Sequence, residues 1–138
     1  PPPPPPPPPP PTSDISSAAS DVYKRQVDAN IEAGMKYLQY LRSRYFDDPA
    51  IDDRNQLLLA LAAYNAGPAR MINLRRMAQE QGYNPNVWFD NVEIIAAQEI
   101  GRETVQYVAN IYKYYLAYSM SFKTQAERNA ARLKAGIE

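Results

Sequence analysis

Cysteine and histidine are both absent from this chain, tryptophan occurs once, and glycine occurs five times in 138 residues. Without Cys or His there are no thiolate or imidazole ligands for zinc, iron–sulfur or haem, and neither a thiol nucleophile nor a Ser-His-Asp relay can be assembled. Any catalysis rests on carboxylates, hydroxyls or amides, and no metal and no cofactor are expected. The lack of Cys permits a periplasmic address without requiring one. Net charge is lacking too. Fifteen Lys and Arg balance fifteen Asp and Glu, so the total points to neither nucleic acid nor an anionic membrane, and a neutral partner fits better. No run of about twenty apolar residues exists, so no membrane span is expected, and no charged head precedes a short apolar run as in a signal peptide.

Proline, by contrast, is abundant, with 14 in all, and residues 1–11 are nothing else. Such a run has no backbone donors and favours an extended polyproline helix, so it cannot join a packed core. Residues 12–26 show no hydrophobic period. Residues 16–26 resemble translated sequencing-adapter read-through of the kind found at broken ends of assembled metagenomic genes, which would start the native protein near Val27. A natural Pro/Ser/Ala linker is the alternative. Three parts are therefore expected: a non-native or disordered head over 1–26, a domain over 27–121, and a polar tail over 122–138. About 110 residues after Gln26 suffice for one small domain and not for two.

From Val27 the pattern is helical. Ile31, Met35, Leu38, Leu41 and Tyr45 recur at helical spacing after a possible cap at Asp28, which predicts a helix over 30–45. Asp47, Asp48, Asp52 and Asp53 lie in a loop whose acidic end suits the start of a second helix. Their spacing does not match a calcium-binding loop. That second helix, to about Tyr64, is apolar nearly all round (Leu57, Leu58, Leu59, Ala60, Leu61, Ala62, Ala63), so it belongs inside the domain. Gly67 and Pro68 end it and open a third helix over 69–81. One or two short helices follow over 87–99, then a long one over 102–121 with Val105, Val108, Ile111, Tyr112 and Tyr115 as its buried side. No strand period and no internal repeat are present, and the fold class is all-α.

The most informative stretch is Ala62-Ala63-Tyr64-Asn65-Ala66-Gly67-Pro68. An apolar helix stops there at a Tyr-Asn pair, which presents a hydroxyl, an amide and an aromatic face together, the combination that sugar binding uses. A capped helix end with a core Tyr is the competing reading.

A-Y-N-A-G-P resembles the signature of the lytic transglycosylase (SLT) family, whose corresponding helix end lines a glycan groove. Two further segments agree in order. Asn30-Ile31-Glu32-Ala33-Gly34-Met35-Lys36-Tyr37-Leu38 is similar to the family's N-I-x-x-G-x-x-Y-L helix. Glu103-Thr104-Val105-Gln106-Tyr107-Val108-Ala109-Asn110-Ile111 is similar to its E-T-x-x-Y-V-x-x-I segment. Asn86-Val87-Trp88-Phe89-Asp90-Asn91-Val92-Glu93 resembles the membrane-bound F subgroup. The likeness runs over about 27–118 and implies the C-terminal portion of a lysozyme-like helical domain whose partner is the glycan strand of peptidoglycan. It also implies a cell-envelope or periplasmic setting, with the parent protein associated with the outer membrane. Carried onto this chain, it makes Tyr64 and Asn65, with the Ala63 backbone, groove residues, and Glu103 and Tyr107 residues of a second wall. The alternatives are a dipole-complementing carboxylate for Glu103 and a core aromatic for Tyr107. Trp88 and Phe89 read as core rather than as a stacking platform, the tyrosines of 112–118 as packing, and Arg70, Arg75 and Arg76 as a solvated face rather than contacts to peptide stems.

Family members break the bond between N-acetylmuramic acid and N-acetylglucosamine with one Glu. It protonates the leaving oxygen and then acts as base while the sugar's own C6 hydroxyl attacks, which leaves a 1,6-anhydro end. In the family that Glu lies in an E-S segment followed by G-L-M-Q, upstream of the N-I-x-x-G helix. Residues 1–26 contain no Glu. The chain is therefore expected to lack the catalytic acid and to be inactive, with a non-catalytic glycan-binding module as the alternative and a ligand-free helical scaffold as the third reading. Loss of the upstream helices would also leave Leu57, Leu61 and the last helix partly uncovered. The expected outcome is a broad thermal transition and binding of an apolar-surface dye. A sharp transition without dye binding would contradict it.

Overall fold

The apolar run around Leu58 forms the central helix in a computed structural model that describes residues 17–136, and both of its ends follow from single residues. Asp52 caps the start, its carboxylate accepting the Asn55 backbone N–H at 2.8 Å. At the other end Gly67, at φ 98° and ψ 141°, turns the chain through a conformation that side chains with a Cβ resist. Pro68 then opens the next helix at its first turn, where its missing N–H costs nothing. In order the helices are α1 (Ser17–Tyr45), α2 (Asp53–Ala66), α3 (Pro68–Glu80), α4 (Glu93–Ile100) and α5 (Glu103–Lys134). No strand occurs among the described residues, in keeping with the all-α class.

Helix α2 lies between α1 and α5 and runs antiparallel to both. Arg42 of α1 meets the first turn of α2 at Asp53 and Gln56, whereas Tyr37, five residues earlier, meets Tyr64 near its end. On the other side Thr104 of α5 reaches Asn65, and Tyr112, two turns on, lies under Arg54. The core is one cluster around Leu41, Phe46, Leu58, Leu59, Met71, Leu74, Trp88, Ile95 and Val108.

Before α4 the chain breaks at Trp88–Val92, where Phe89 is extended and Asp90 is left-handed at φ 59°, a state a short polar side chain tolerates better than most. The break lets Trp88 turn fully inward. Its backbone N–H donates to Asn55 Oδ1 at 3.0 Å, and Asn55 Nδ2 donates to the capping Asp52 carboxylate at 3.0 Å. Trp88 is thus core, as its sequence setting implied, and the cap of α2 is wired to a loop 33 residues away.

Several expectations are corrected. Residues 1–16 and the last two of the 122–138 tail lie outside the described residues, but 17–26 are helical. They extend α1 well ahead of residue 30, because no Pro or Gly interrupts this Ala-, Lys- and Gln-containing stretch. Asp28 accordingly sits inside a helix and caps nothing. At the other end α5 continues past Ser121 to Lys134 for the same reason. The stripe read from Ile31 to Tyr45 is buried only in part. Leu41 and Tyr37 are inside, while Ile31 and Met35 are 52% and 66% exposed, Met35 because it points away from the face of α1 that carries Gly34, Tyr37 and Leu41. Leu61 is buried and Leu57 half-buried. The uncovered apolar surface therefore sits on α1 and α5, and Tyr115, expected inside, is largely outside.

Trp88→Ala is expected to destabilise the fold by about 3–5 kcal/mol through the cavity it leaves. Trp88→Phe should cost far less, because the indole N–H has no hydrogen-bond partner among the described residues and its loss forfeits no bond. Chemical denaturation of the two variants against the parent chain checks the ordering.

Candidate functional site

At the C-terminal end of α2 the three resembling segments converge. Tyr64 is half-buried, and its ring lies parallel to that of Tyr107 at 6.4 Å and 5°, while Tyr37 leans on it at 5.6 Å and 59°. Helices α1, α2 and α5 each supply one ring, so the face of Tyr64 is fixed from two sides. Its hydroxyl approaches α1 at Gly34, where a Cβ would stand 3.2 Å from Oη. That is closer than ordinary packing, so a glycine is what lets the phenol reach so far over α1.

Asn65 is exposed but not loose. The Thr104 hydroxyl donates to Asn65 Oδ1 at 2.7 Å, and Thr104 itself is only 4% exposed. With Oδ1 so engaged, the Nδ2 hydrogens remain to donate to a ligand acceptor. Ala63 is buried, and its carbonyl already accepts the Gly67 N–H at 2.8 Å to close the helix. Glu103 is exposed in the first turn of α5, beside Thr104 and so at the same end of α2.

Burial pushes the Tyr64 phenol above its ordinary value. It does the same to Tyr107 and Tyr37, with the neighbouring phenols, Tyr64 among them, adding to the effect. All three therefore stay neutral donors over a wide pH range. The site is a neutral, aromatic, hydrogen-bonding surface, suited to an uncharged hydroxylated or amide-bearing ligand.

The residues read from the sequence, Tyr64, Asn65 and Tyr107, come together here, with Ala63 beneath them and Glu103 at the rim. Thr104, Gly34 and Tyr37 were not singled out, although each stands in a quoted segment. What marked them was the fixed letter in the motif, and what hid them was that their contacts join residues 27 to 39 positions apart. Arg75 is not a solvated residue. It donates to the Pro85 carbonyl and to Asn86 Oδ1, both at 2.8 Å, and holds the turn before Trp88. Arg76 pairs with Glu80 on the surface. A cavity of about 290 Å³ lined by Arg42, Asp53, Arg54, Leu57, Tyr112 and Tyr115 lies at the opposite end of α2. It contains none of the residues of the convergence.

Comparison with known proteins gives the family. The model of the transglycosylase SLT domain matches residues 15–87, more than half of the chain, and the chain belongs to that family. The match begins ahead of Val27 and ends before α5, so Glu103 and Tyr107 fall outside it. Among relatives, a membrane-bound lytic murein transglycosylase F of Pseudomonas fluorescens is 32% identical over 99 residues, 62% of this chain and 20% of its own length. Proteins of the same name from Shewanella woodyi, at 32% over 101 residues (64% and 21%), and Haemophilus influenzae, at 33% over 100 residues (63% and 20%), are similar. The chain spans about a fifth of the length of these curated relatives.

Two outcomes test the geometry. Thr104→Val should cost about 1 kcal/mol and shift the Asn65 side-chain amide resonances, whereas unchanged resonances would show that the amide is not held. Alkaline titration followed by tyrosinate absorbance should show a late-ionising group of phenols. A raised folded-state value means the unfolded chain ionises first, so stability holds below about pH 10 and falls as pH rises beyond it. Tyr64→Phe should reduce that alkaline loss.

Proposed function

We propose that this chain is the glycan-groove portion of a peptidoglycan lytic transglycosylase of the cell envelope. In the proposed reaction the bond between the muramic acid C1 and the leaving oxygen breaks, a carboxylic acid gives that oxygen its proton, and the same carboxylate then takes the proton of the C6 hydroxyl as it closes onto C1. The product is a 1,6-anhydro end. The observation that carries the reading is the convergence of Tyr64, Asn65 and Tyr107 at one helix end, with the amide held by Thr104. An N-acetylated glycan is neutral at its acetamides and apolar on its ring faces, which matches a surface of neutral phenols and an oriented amide.

An acid for this step has to be kept protonated near neutral pH, usually by burial. Glu103 is exposed and starts a helix, where a carboxylate complements the dipole, so its role is supporting. The 138 residues hold no E-S segment. By themselves they are expected to bind glycan and not to cleave it. The binding-module reading is favoured over the enzyme reading for these residues alone because no carboxylate among the described residues is buried.

Binding of N-acetylglucosamine oligomers by calorimetry or chemical-shift perturbation is the test. Tyr64→Ala should weaken it by about tenfold, the scale of one aromatic contact, and incubation with murein sacculi should release no 1,6-anhydro products. Failure to bind any oligomer would overturn the glycan reading, and anhydro products would overturn the expected inactivity.

A further inference from the structure

The distal half of α5 carries a feature that the glycan site does not use. Thr104, Val108 and Ile111 face the core, and the same stripe continues at spacings of four, three and four through Tyr115, Tyr118 and Phe122. Beyond Tyr115, which still borders Arg42 and Asp53, no described residue covers it, because Tyr112 is level with Arg54 and α2 begins at Asp53. Tyr118 and Phe122 are 65% and 59% exposed, and their rings meet edge to face at 4.7 Å. Tyr114 is exposed on the flank of that stripe, and Leu116 and Met120 are exposed on the other side of the helix. Residues 116–134 form about 29 Å of helix that is exposed throughout and uncovered by other described residues.

Charge is uneven there as well. Lys113, Lys123, Arg128, Arg132 and Lys134 face a single carboxylate, Glu127, a net charge of +4 in a chain whose total is zero. At about 100° per residue, four of these five cations leave the helix more than a quarter-turn from the middle of the aromatic stripe, with Arg132 nearer its edge. The balanced composition conceals a basic, aromatic, amphipathic helix. No helix among the described residues is long and apolar enough to cross a membrane, so the relevant mode is one that lies flat.

We propose that residues 113–134 of α5 dock on the surface of a lipid bilayer bearing anionic headgroups, with Tyr115, Tyr118 and Phe122 at the headgroup boundary and the cations flanking them. Aromatic rings with a polar tip favour that boundary over a dry core, and each nearby Lys or Arg adds attraction to acidic lipid. The helix projects as a convex rod with no groove, which suits a broad planar partner. A second copy fits less well, since pairing stripe against stripe would bring two sets of five cations together.

The test is flotation of the full chain with phosphatidylcholine vesicles prepared with and without phosphatidylglycerol. Binding is expected only with the anionic lipid and should weaken with added salt. Lys123→Glu with Arg128→Glu and Arg132→Glu should lower partitioning by about a hundredfold. Tyr118→Ser with Phe122→Ser should also lower it by at least tenfold while leaving the circular-dichroism melt unchanged, as these side chains are exposed. The proposal is overturned by equal binding to both vesicle types, by no binding, or by binding that ignores the loss of the rings. Sedimentation showing a dimer that Phe122→Ser dissolves, without vesicle binding, would assign the stripe to a second copy instead. None of these outcomes depends on glycan binding.

Discussion

Burial of α2 on every side is the constraint from which the other helices take their places, because Leu58, Leu59, Ala60, Leu61, Ala62 and Ala63 go around the whole helix rather than along one stripe. Each large side chain removed from water is worth about 1.5–3 kcal/mol, more than any single hydrogen bond at the site, whose net worth is about 1 kcal/mol. Packing therefore decides where α1, α3 and α5 lie. Hydrogen bonding then decides how the groups at the end of α2 are turned. Thr104 meets Asn65 only because Val108, one turn on, is already buried against the same core.

A buried helix has to stop somewhere, and its stop is where polar chemistry can surface. Gly67 and Pro68 end α2 abruptly, so Tyr64 and Asn65 stand at the edge of the core with backing from both flanking helices. The phenol of Tyr64 is half inside, which raises its ionisation above the ordinary value, and half outside, which leaves a face for a ligand. At the opposite end the cap at Asp52 is tied through Asn55 to Trp88, and the surface there is a cation–aromatic cluster of Arg54 with Phe89 and Tyr112. One helix thus separates an end of stacked phenols and an oriented amide from an end where Arg42 and Arg54 lie among Asp53, Phe89 and Tyr112.

The elements were legible to different degrees. The limits of α2 and α3 could be read almost to the residue because caps and breakers are local: Asp52, Gly67 and Pro68 act on their own backbone. Helices α1 and α5 were read too short at their outer ends, where nothing but intrinsic preference holds them and no apolar period announces them. The same weakness misassigned Tyr115, whose spacing is correct for a buried face but whose burial depends on how far the neighbouring helix extends. At the site, Tyr64, Asn65 and Tyr107 were visible as motif letters, whereas Thr104, Gly34 and Tyr37 became meaningful only through contacts across helices.

By itself, then, the sequence determined the all-helical class, the central position of α2, the turn at Gly67-Pro68 and the family to which the chain belongs. The first three rest on local backbone preference or on hydrophobic period, which are encoded by neighbours in the chain, and the last on the letters of short motifs in a fixed order. The tertiary structure alone decided which faces of α1 and α5 are covered, that the rings of Tyr37, Tyr64 and Tyr107 meet, and that the Asn65 amide is held by Thr104. Those outcomes depend on relative helix length and register, quantities set by the packing of residues far apart in the chain, which no local pattern records.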